Sequence, residues 1–297
     1  MQASAIGMIG IGLMGHGIAT NIVKHGHALT VLEHPGNQPL DALKAAGAKS
    51  VDSIAALAQA SEVVILCVTG SPQVEAILGA DGDPGGLIAA LRPGTVVIDC
   101  STAIPTSTQK MAEAVQRAGG RFLDAPMTRT PKEAAEGRLN LLVGGDADLF
   151  AQCQPLLACF AENITHTGAV STGHSMKLLH NYVSLGSVAL IAEAAACARR
   201  AGVPGDVFVE VLAKGGGGGV ALERLKPFIT QQDASGLRFA MSNAQKDLGY
   251  YTEMAEGMQA AQAIADAVLA TYAGAVAQGG AQRYVPELVG LLAEKGR

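Results

Sequence analysis

The first fifteen residues constrain the fold more than any other stretch of the chain. An apolar run, Ala5-Ile6-Gly7-Met8-Ile9, leads into Gly10-Ile11-Gly12-Leu13-Met14-Gly15 and then into Ile18-Ala19-Thr20-Asn21-Ile22-Val23. That order reads as strand, glycine turn, helix. A diphosphate needs backbone N–H groups at a helix N-terminus; Gly10 and Gly12 allow turn geometry and close approach, and Gly15 lets helix and strand pack tightly. With 37 glycines in 297 residues, such a motif also arises by chance, so its flanks decide. A second apolar run, His27-Ala28-Leu29-Thr30-Val31-Leu32, ends in Glu33, close to the offset of about twenty residues at which an acid meets the adenosine ribose. A carboxylate there accepts from the ribose hydroxyls and repels a 2′-phosphate, so NAD is the expected cofactor. His34 can become a cation beside it, which leaves NADP open. The alternative for Glu33 is a surface acid at a strand end.

From the start to residue 167 the chain alternates short β-branched runs with helical periodicity. Val63-Val64-Ile65-Leu66-Cys67-Val68, Thr95-Val96-Val97-Ile98-Asp99-Cys100, Arg121-Phe122-Leu123-Asp124 and Leu139-Asn140-Leu141-Leu142-Val143 read as strands, and residues 54–60 and 106–118 as helices. Nearly continuous apolar strands of this kind belong to a mainly parallel sheet covered on both faces. The expected fold is therefore α/β: a doubly wound, Rossmann-type domain over residues 1–167, followed by an all-α domain over residues 168–297. Residues 175–201 hold no Pro and one Gly, and such a helix of about 27 residues spans roughly 40 Å. Its Leu178, Leu179, Val183, Leu185, Val188, Leu190 and Ile191 are more apolar surface than a small domain covers, which predicts a homodimer or a tetramer built from dimers. The five consecutive glycines at 215–219 read as a loop, either a connector or a ligand lid.

A chain that is 49% hydrophobic, 16% charged and of net charge -5 presents no basic field for nucleic acid. No stretch approaches eighteen consecutive apolar residues, so no membrane span is expected. The N-terminus enters a strand without the features of a secretory signal, and the expectation is a cytoplasmic protein. The five cysteines, Cys67, Cys100, Cys153, Cys159 and Cys197, lack metal spacing, so no metal is expected. Cys67 and Cys100 read as strand-interior thiols acting as small hydrophobes.

Four matches in order bring in a family. They are Gly10 to Asn21 with Met14-Gly15; Asp99-Cys100-Ser101-Thr102 followed by Pro105; Asp124-Ala125-Pro126 through Gly137 to Gly144-Gly145; and Lys177 with Asn181, then Lys246-Asp247-Leu248-Gly249. Over essentially its whole length the chain resembles the β-hydroxyacid dehydrogenases of the 3-hydroxyisobutyrate dehydrogenase-like group. The resemblance implies an NAD(P)-dependent oxidoreductase that interconverts a small 3- or 4-carbon hydroxy acid and its semialdehyde. It implies cofactor contacts at Gly10, Gly12, Leu13, Met14, Gly15, Glu33, Val68, Thr102 and Lys246, and an anchoring role for Asp247.

The resemblance also makes Lys177 the acid/base. Physical reasoning agrees. Lys177 sits near the start of the long helix, where two domains would meet, and oxidising an alcohol by hydride transfer requires that its hydroxyl proton be removed. Burial disfavours a charged ammonium and draws a lysine pKa toward working pH. The alternative is a snorkelling, solvated lysine. Asn181, four residues on, shares the helix face of Lys177 and is expected to orient substrate. His180 stands where the family commonly has Asn, and reads as a packing residue or a tuner of the site. Substrate selection is expected from Thr128-Arg129-Thr130, where relatives carry Ser-Gly-Gly. The Arg-Thr pair, together with Lys177 to Tyr182 and Ser184, is similar to the sulfolactaldehyde reductase branch. A guanidinium suits a carboxylate or a sulfonate; the alternative for Arg129 is an ion pair with Glu133 or Glu136. Against all of this stands a non-catalytic dinucleotide-binding protein on the same fold, which has no need of Lys177, Asn181 and Lys246 together. An imine reductase on a related fold is expected to lack Lys177.

Overall fold

The computed structural model describes residues 5–79 and 82–294. Two compact units divide between Lys177 and Leu178, inside a single helix, and each unit has its own core.

The first unit runs β1 (Ala5–Ile9), α1 (Leu13–Lys24), β2 (Ala28–Leu32), α2 (Asp41–Ala45), β3 (Lys49–Val51), α3 (Ile54–Gln59), β4 (Val63–Leu66), α4 (Ser71–Leu78) and α5 (Leu87–Ala90). It continues with β5 (Val96–Asp99), α6 (Pro105–Arg117), β6 (Arg121–Asp124), β7 (Met127–Thr128), α7 (Pro131–Ala135), β8 (Leu139–Gly144), α8 (Ala147–Leu157) and β9 (Ala161–Gly168). The strands form one sheet in the order β3-β2-β1-β4-β5-β6-β8-β7, with β9 beside β8. From β3 to β6 every pairing is parallel, and β8 runs antiparallel to β6 and β7.

Two cores show why the strands are apolar on both faces. Side chains alternate along a strand. In β4, Val63 and Ile65 join Ile6, Met8, Ile18 and Ile22 in one cluster, while Val64 and Leu66 join Leu57, Leu78, Met111 and Val115 in the other. Helices therefore cover both faces, as a doubly wound sheet requires.

The strands end earlier than the apolar runs suggest. β4 stops at Leu66 and β5 at Asp99, so Cys67 and Cys100 lie one residue beyond the strands rather than inside them. Each still carries a ladder bond, Cys67 N–H to Ile9 O at 2.9 Å and Cys100 N–H to Leu66 O at 2.8 Å. Burial pushes the Cys67 thiol up to about 12 and raises that of Cys100 as well, which suits neither to nucleophilic chemistry.

In the first unit, α9 (Thr172–Arg200) contributes its first turns; the second unit takes the remainder with α10 (Gly205–Lys214), α11 (Val220–Gln231), α12 (Met241–Gly257), α13 (Ala263–Ala275) and α14 (Leu288–Glu294). Among the described residues this unit is helical, with one isolated bridge between Ala240 and Tyr284. Its core gathers Leu185, Val188, Ala192, Leu222, Leu225, Met241, Leu248, Tyr272 and Leu288, and the buried Tyr272 hydroxyl donates to Leu185 O at 3.2 Å. Residues 215–219 form the turn between α10 and α11. The helix α9 is long and apolar enough to cross a membrane by length and composition alone, a test that the core helix of a soluble domain also passes, and Leu185, Val188 and Ala192 on it are core residues.

Candidate active site

The glycine turn assigns a separate task to each glycine. Gly10 has φ +95°, and a Cβ there would sit 2.2 Å from Cys67 O. At Gly15 a Cβ would lie 1.9 Å from Gly10 O, so α1 packs on β1 only without one. Gly12 differs from the expectation of special turn geometry. Its φ is -75°, and a Cβ would meet nothing within 4 Å. Neither backbone conformation nor protein packing asks for glycine there. Gly12 is the N-cap of the twelve-residue α1 and supplies no side-chain cap; the first N–H groups of a helix lack intrahelical partners. The cradle is open to an anion that approaches the backbone more closely than a Cβ allows, which fits a dinucleotide diphosphate. Leu13 is exposed, and Met14 packs against the core under the turn.

Glu33 follows β2 and is half-exposed; its Oε1 accepts from Ser50 Oγ at 2.6 Å and from Lys44 Nζ at 2.9 Å. The Ser50 hydroxyl, then Lys44, hold its carboxyl below the usual glutamate range. Val68 and Thr102 stand past the carboxyl ends of β4 and β5, where ligands meet parallel sheets. The Val68 N–H donates to Ser101 Oγ at 3.0 Å.

The segment expected to hold the substrate acid is already tied internally. Thr128, buried, accepts from Asn140 Nδ2 at 3.0 Å. Thr130 caps α7, with its N–H 3.0 Å and its hydroxyl 2.5 Å from Glu133 Oε2. Between them Arg129 takes φ +81°, a region that disfavours side chains. Its guanidinium donates to Glu162 on β9 and to Arg138 O. The acid beside Arg129 is thus neither Glu133, engaged with Thr130, nor Glu136, paired with Arg138.

Lys177 is half-buried on α9. One turn further along the same helix, Asn181 is buried, and its Nδ2 donates to Asp247 Oδ2 at 2.6 Å. Asp247 Oδ1 lies 3.1 Å from Lys246 Nζ, which also sits 5.2 Å from the centre of the Tyr250 ring. His180 is exposed in the single chain and donates from Nδ1 to Asn181 Oδ1 at 3.0 Å. The second unit therefore joins Asn181, Asp247, Lys246 and His180, and the first unit holds the glycine turn, Glu33, Val68, Thr102 and the 128–130 segment. The sequence reading gave no individual role to Ser50, Lys44, Asp99, Asp124 or His174; the two aspartates entered it only as the first residues of two family motifs at the ends of apolar strands.

A glycine cradle at a helix N-terminus, with an acid at the end of the second strand, defines a dinucleotide-binding fold. The model of the NAD binding domain of 6-phosphogluconate dehydrogenase matches residues 5–168, and that of the NAD-binding domain of NADP-dependent 3-hydroxyisobutyrate dehydrogenase matches residues 171–292. The chain is 34% identical to an NAD-dependent L-serine dehydrogenase of Pseudomonas aeruginosa, over 94% of both chains. It is 33% identical to a 3-hydroxyisobutyrate dehydrogenase of the same organism, over 86% of this chain and 87% of the relative. A solved 3-hydroxyisobutyrate dehydrogenase of Mycobacterium tuberculosis with L-serine shares the fold at TM-score 0.87 and 24% identity, covering 98% of this chain and 99% of that one. The chain belongs to the β-hydroxyacid dehydrogenase family. It is an NAD(P)-dependent oxidoreductase that interconverts small hydroxy acids and their semialdehydes.

Proposed function

We propose that the protein acts on a 3- or 4-carbon acid, with residues 1–167 binding NAD and residues 168–297 supplying substrate contacts and a dimer surface. The observation that carries this reading is Asn181, whose amide is pinned by Asp247 one helical turn from Lys177. With one N–H held by a buried carboxylate and its oxygen accepting from His180, the amide keeps its orientation and offers its remaining N–H to a substrate without reordering. When bound, the nicotinamide supplies the hydride acceptor or donor. Lys177 takes the hydroxyl proton of the alcohol on Nζ as the carbon loses hydride, and returns it to the carbonyl oxygen in the reverse direction. Gly10, Gly12, Leu13, Met14 and Gly15 hold the diphosphate, Glu33 the ribose, and Val68, Thr102 and Lys246 border the remainder of the cofactor.

Thr128, Arg129 and Thr130 meet the acid group of the substrate. The left-handed backbone of Arg129 supports this, because strain of that kind concentrates at functional positions. A sulfonate such as sulfolactaldehyde competes here with carboxylates such as 3-hydroxyisobutyrate, tartronate semialdehyde or the L-serine named for two relatives. The pairing of Arg129 with Glu162 favours a second reading, in which the guanidinium only ties the 128–130 segment to β9. Steady-state turnover on this panel, for wild type, Lys177→Ala and Arg129→Ala, separates them. Turnover lost in Lys177→Ala with NADH still bound supports the acid/base; full turnover refutes it. Equal loss on every substrate in Arg129→Ala leaves only the structural tie.

A soluble, cytoplasmic homodimer is the proposed form, with tetramers from paired dimers as its extension. Leu179, Val183 and Leu190 are 42%, 64% and 74% exposed and fall on one face of α9. An apolar stripe of that size calls for a cover, and a second copy of the chain supplies one. Light scattering of Leu190→Asp is expected to show monomers, and an unchanged dimer would place the interface elsewhere.

A further inference from the structure

Three buried titratable groups outside the proposed reaction lie together at the carboxyl edge of the sheet. Asp99 and Asp124 are register partners at the ends of β5 and β6, so their side chains leave the sheet on the same face. His174, in the first turn of α9, is fully buried beside them. Its ring nitrogens lie 3.9 Å from Asp99 Oδ2 and 3.8 Å from Asp124 Oδ2. Each also has a closer neighbour: Nδ1 is 2.8 Å from Thr108 Oγ1, and Nε2 is 3.1 Å from Ser101 O. A carbonyl only accepts, so Nε2 carries a proton and donates.

Asp124 holds the start of α9 from below. Its Oδ1 accepts from the Ser171 N–H and its Oδ2 from the His174 N–H, both at 2.8 Å. Two glycines make room for this carboxylate, since a Cβ at Gly144 or Gly173 would lie 2.6 or 2.8 Å from its oxygens. Asp99 Oδ1 accepts from the Ser101 N–H at 2.9 Å, which fixes the carbonyl that His174 uses. The other oxygen of Asp99 is buried without a hydrogen-bond partner, and burial pushes this carboxyl up. An arrangement with an unsatisfied buried oxygen is a poor device for stability. What it does provide is one orientation for the first turn of α9, fastened at the backbone through Asp124 and at the side chain through His174.

Lys177 lies three residues beyond His174, less than one turn along this helix. We infer that His174 is a positioning residue, which with Asp124, Thr108 and Ser101 sets the place of the Lys177 amine. This rests on the acid/base reading of Lys177.

The test uses the full chain, with NAD and 3-hydroxyisobutyrate or L-serine, whichever turns over. His174→Phe removes both ring contacts and is expected to lower kcat about 100-fold, the effect of a misplacement of about 1 Å. KM and the NAD dissociation constant, read by titration calorimetry, stay within about threefold, a bound taken from the same positional argument. His174→Gln restores a donor toward Ser101 O and recovers about tenfold of the loss, part of that misplacement. Thr108→Val, a near-isosteric change, moves kcat in the same direction while the fold is kept, so it decides the matter if His174→Phe does not fold. In the protein without NAD or substrate, labelling of Lys177 by an amine-reactive reagent, read by peptide mass spectrometry, should change rate in these variants. Folded His174→Phe or Thr108→Val with wild-type kcat and labelling, while Lys177→Ala is inactive, overturns the positioning role alone. Wild-type turnover in Lys177→Ala overturns the acid/base reading and the inference with it.

Discussion

Gly12→Ala separates cofactor binding from folding more cleanly than any other change. The added methyl meets nothing within 4 Å, and the residue already has φ -75°, so the folded state gains no clash and no strain. Replacing glycine by alanine at an N-cap costs about 0.5–1 kcal/mol, and the lower entropy of the unfolded chain returns about 0.4–1 kcal/mol. Stability should therefore stay within about 0.5 kcal/mol of wild type, less than the effect of most core substitutions. The same methyl stands where a diphosphate would approach the first N–H groups of α1. Loss of a well-placed anion contact at a helix N-terminus is worth up to about 2 kcal/mol, or about 30-fold in dissociation constant. Gly15→Ala is the control: its Cβ would lie 1.9 Å from a backbone oxygen, and α1 must shift, at about 3 kcal/mol of stability. Thermal unfolding and NADH fluorescence titration on both variants give the answer. An NADH affinity unchanged in a folded Gly12→Ala protein would refute the cradle.

Asn21 donates from Nδ2 to Gly17 O at 2.9 Å, Ala134 O at 3.0 Å and Ala135 O at 3.2 Å, tying α1 to α7. Asn21→Ala leaves those carbonyls short of a donor for about 2 kcal/mol, and calorimetry should show a Tm lower by about 4–8 °C. Glu33, whose carboxyl is held low by Ser50 and Lys44, stays ionised as pH falls through the usual glutamate range, so the proposed preference for NAD+ over NADP+ should persist there. It should fade at lower pH, and fade earlier in Ser50→Ala. Dissociation constants for both nucleotides across an acid pH series check this, and identical profiles for wild type and Ser50→Ala would contradict it.

Much of the first unit is legible because β1, β2, β4, β5 and β6 place apolar residues on both faces, leaving continuous runs, and β8 has Leu139, Leu141 and Val143 on its core face. β9 escapes the same reading: Ala161–Gly168 is Ala-Glu-Asn-Ile-Thr-His-Thr-Gly, with half of its residues exposed, and a strand with one neighbour and a wet face has no reason to be apolar. β3 and β7, of three and two residues, are too short for any period to show. In the site, local spacing is legible and distant pairing is not. Lys177 and Asn181 are related by one helical turn, whereas the partner of Arg129 is Glu162, reached only once β8 and β9 have paired. The Asp99, Asp124 and His174 cluster depends on two strand ends and a helix start meeting in space, which no spacing along the chain records.

The margins of the sheet bear on how this chain behaves in a crowded solution. An exposed strand edge is a template on which another chain can add strands, and a protein that is 49% hydrophobic has much to lose from such growth. The two ends are guarded by different means. β3 is brief and begins with Lys49, which is exposed; β9 is long but presents Glu162, Asn163, Thr165 and His166 to water. Neither end offers a dry, extended surface for a foreign strand, so the polar residues that hide β9 from sequence inspection are also those that keep the sheet finite.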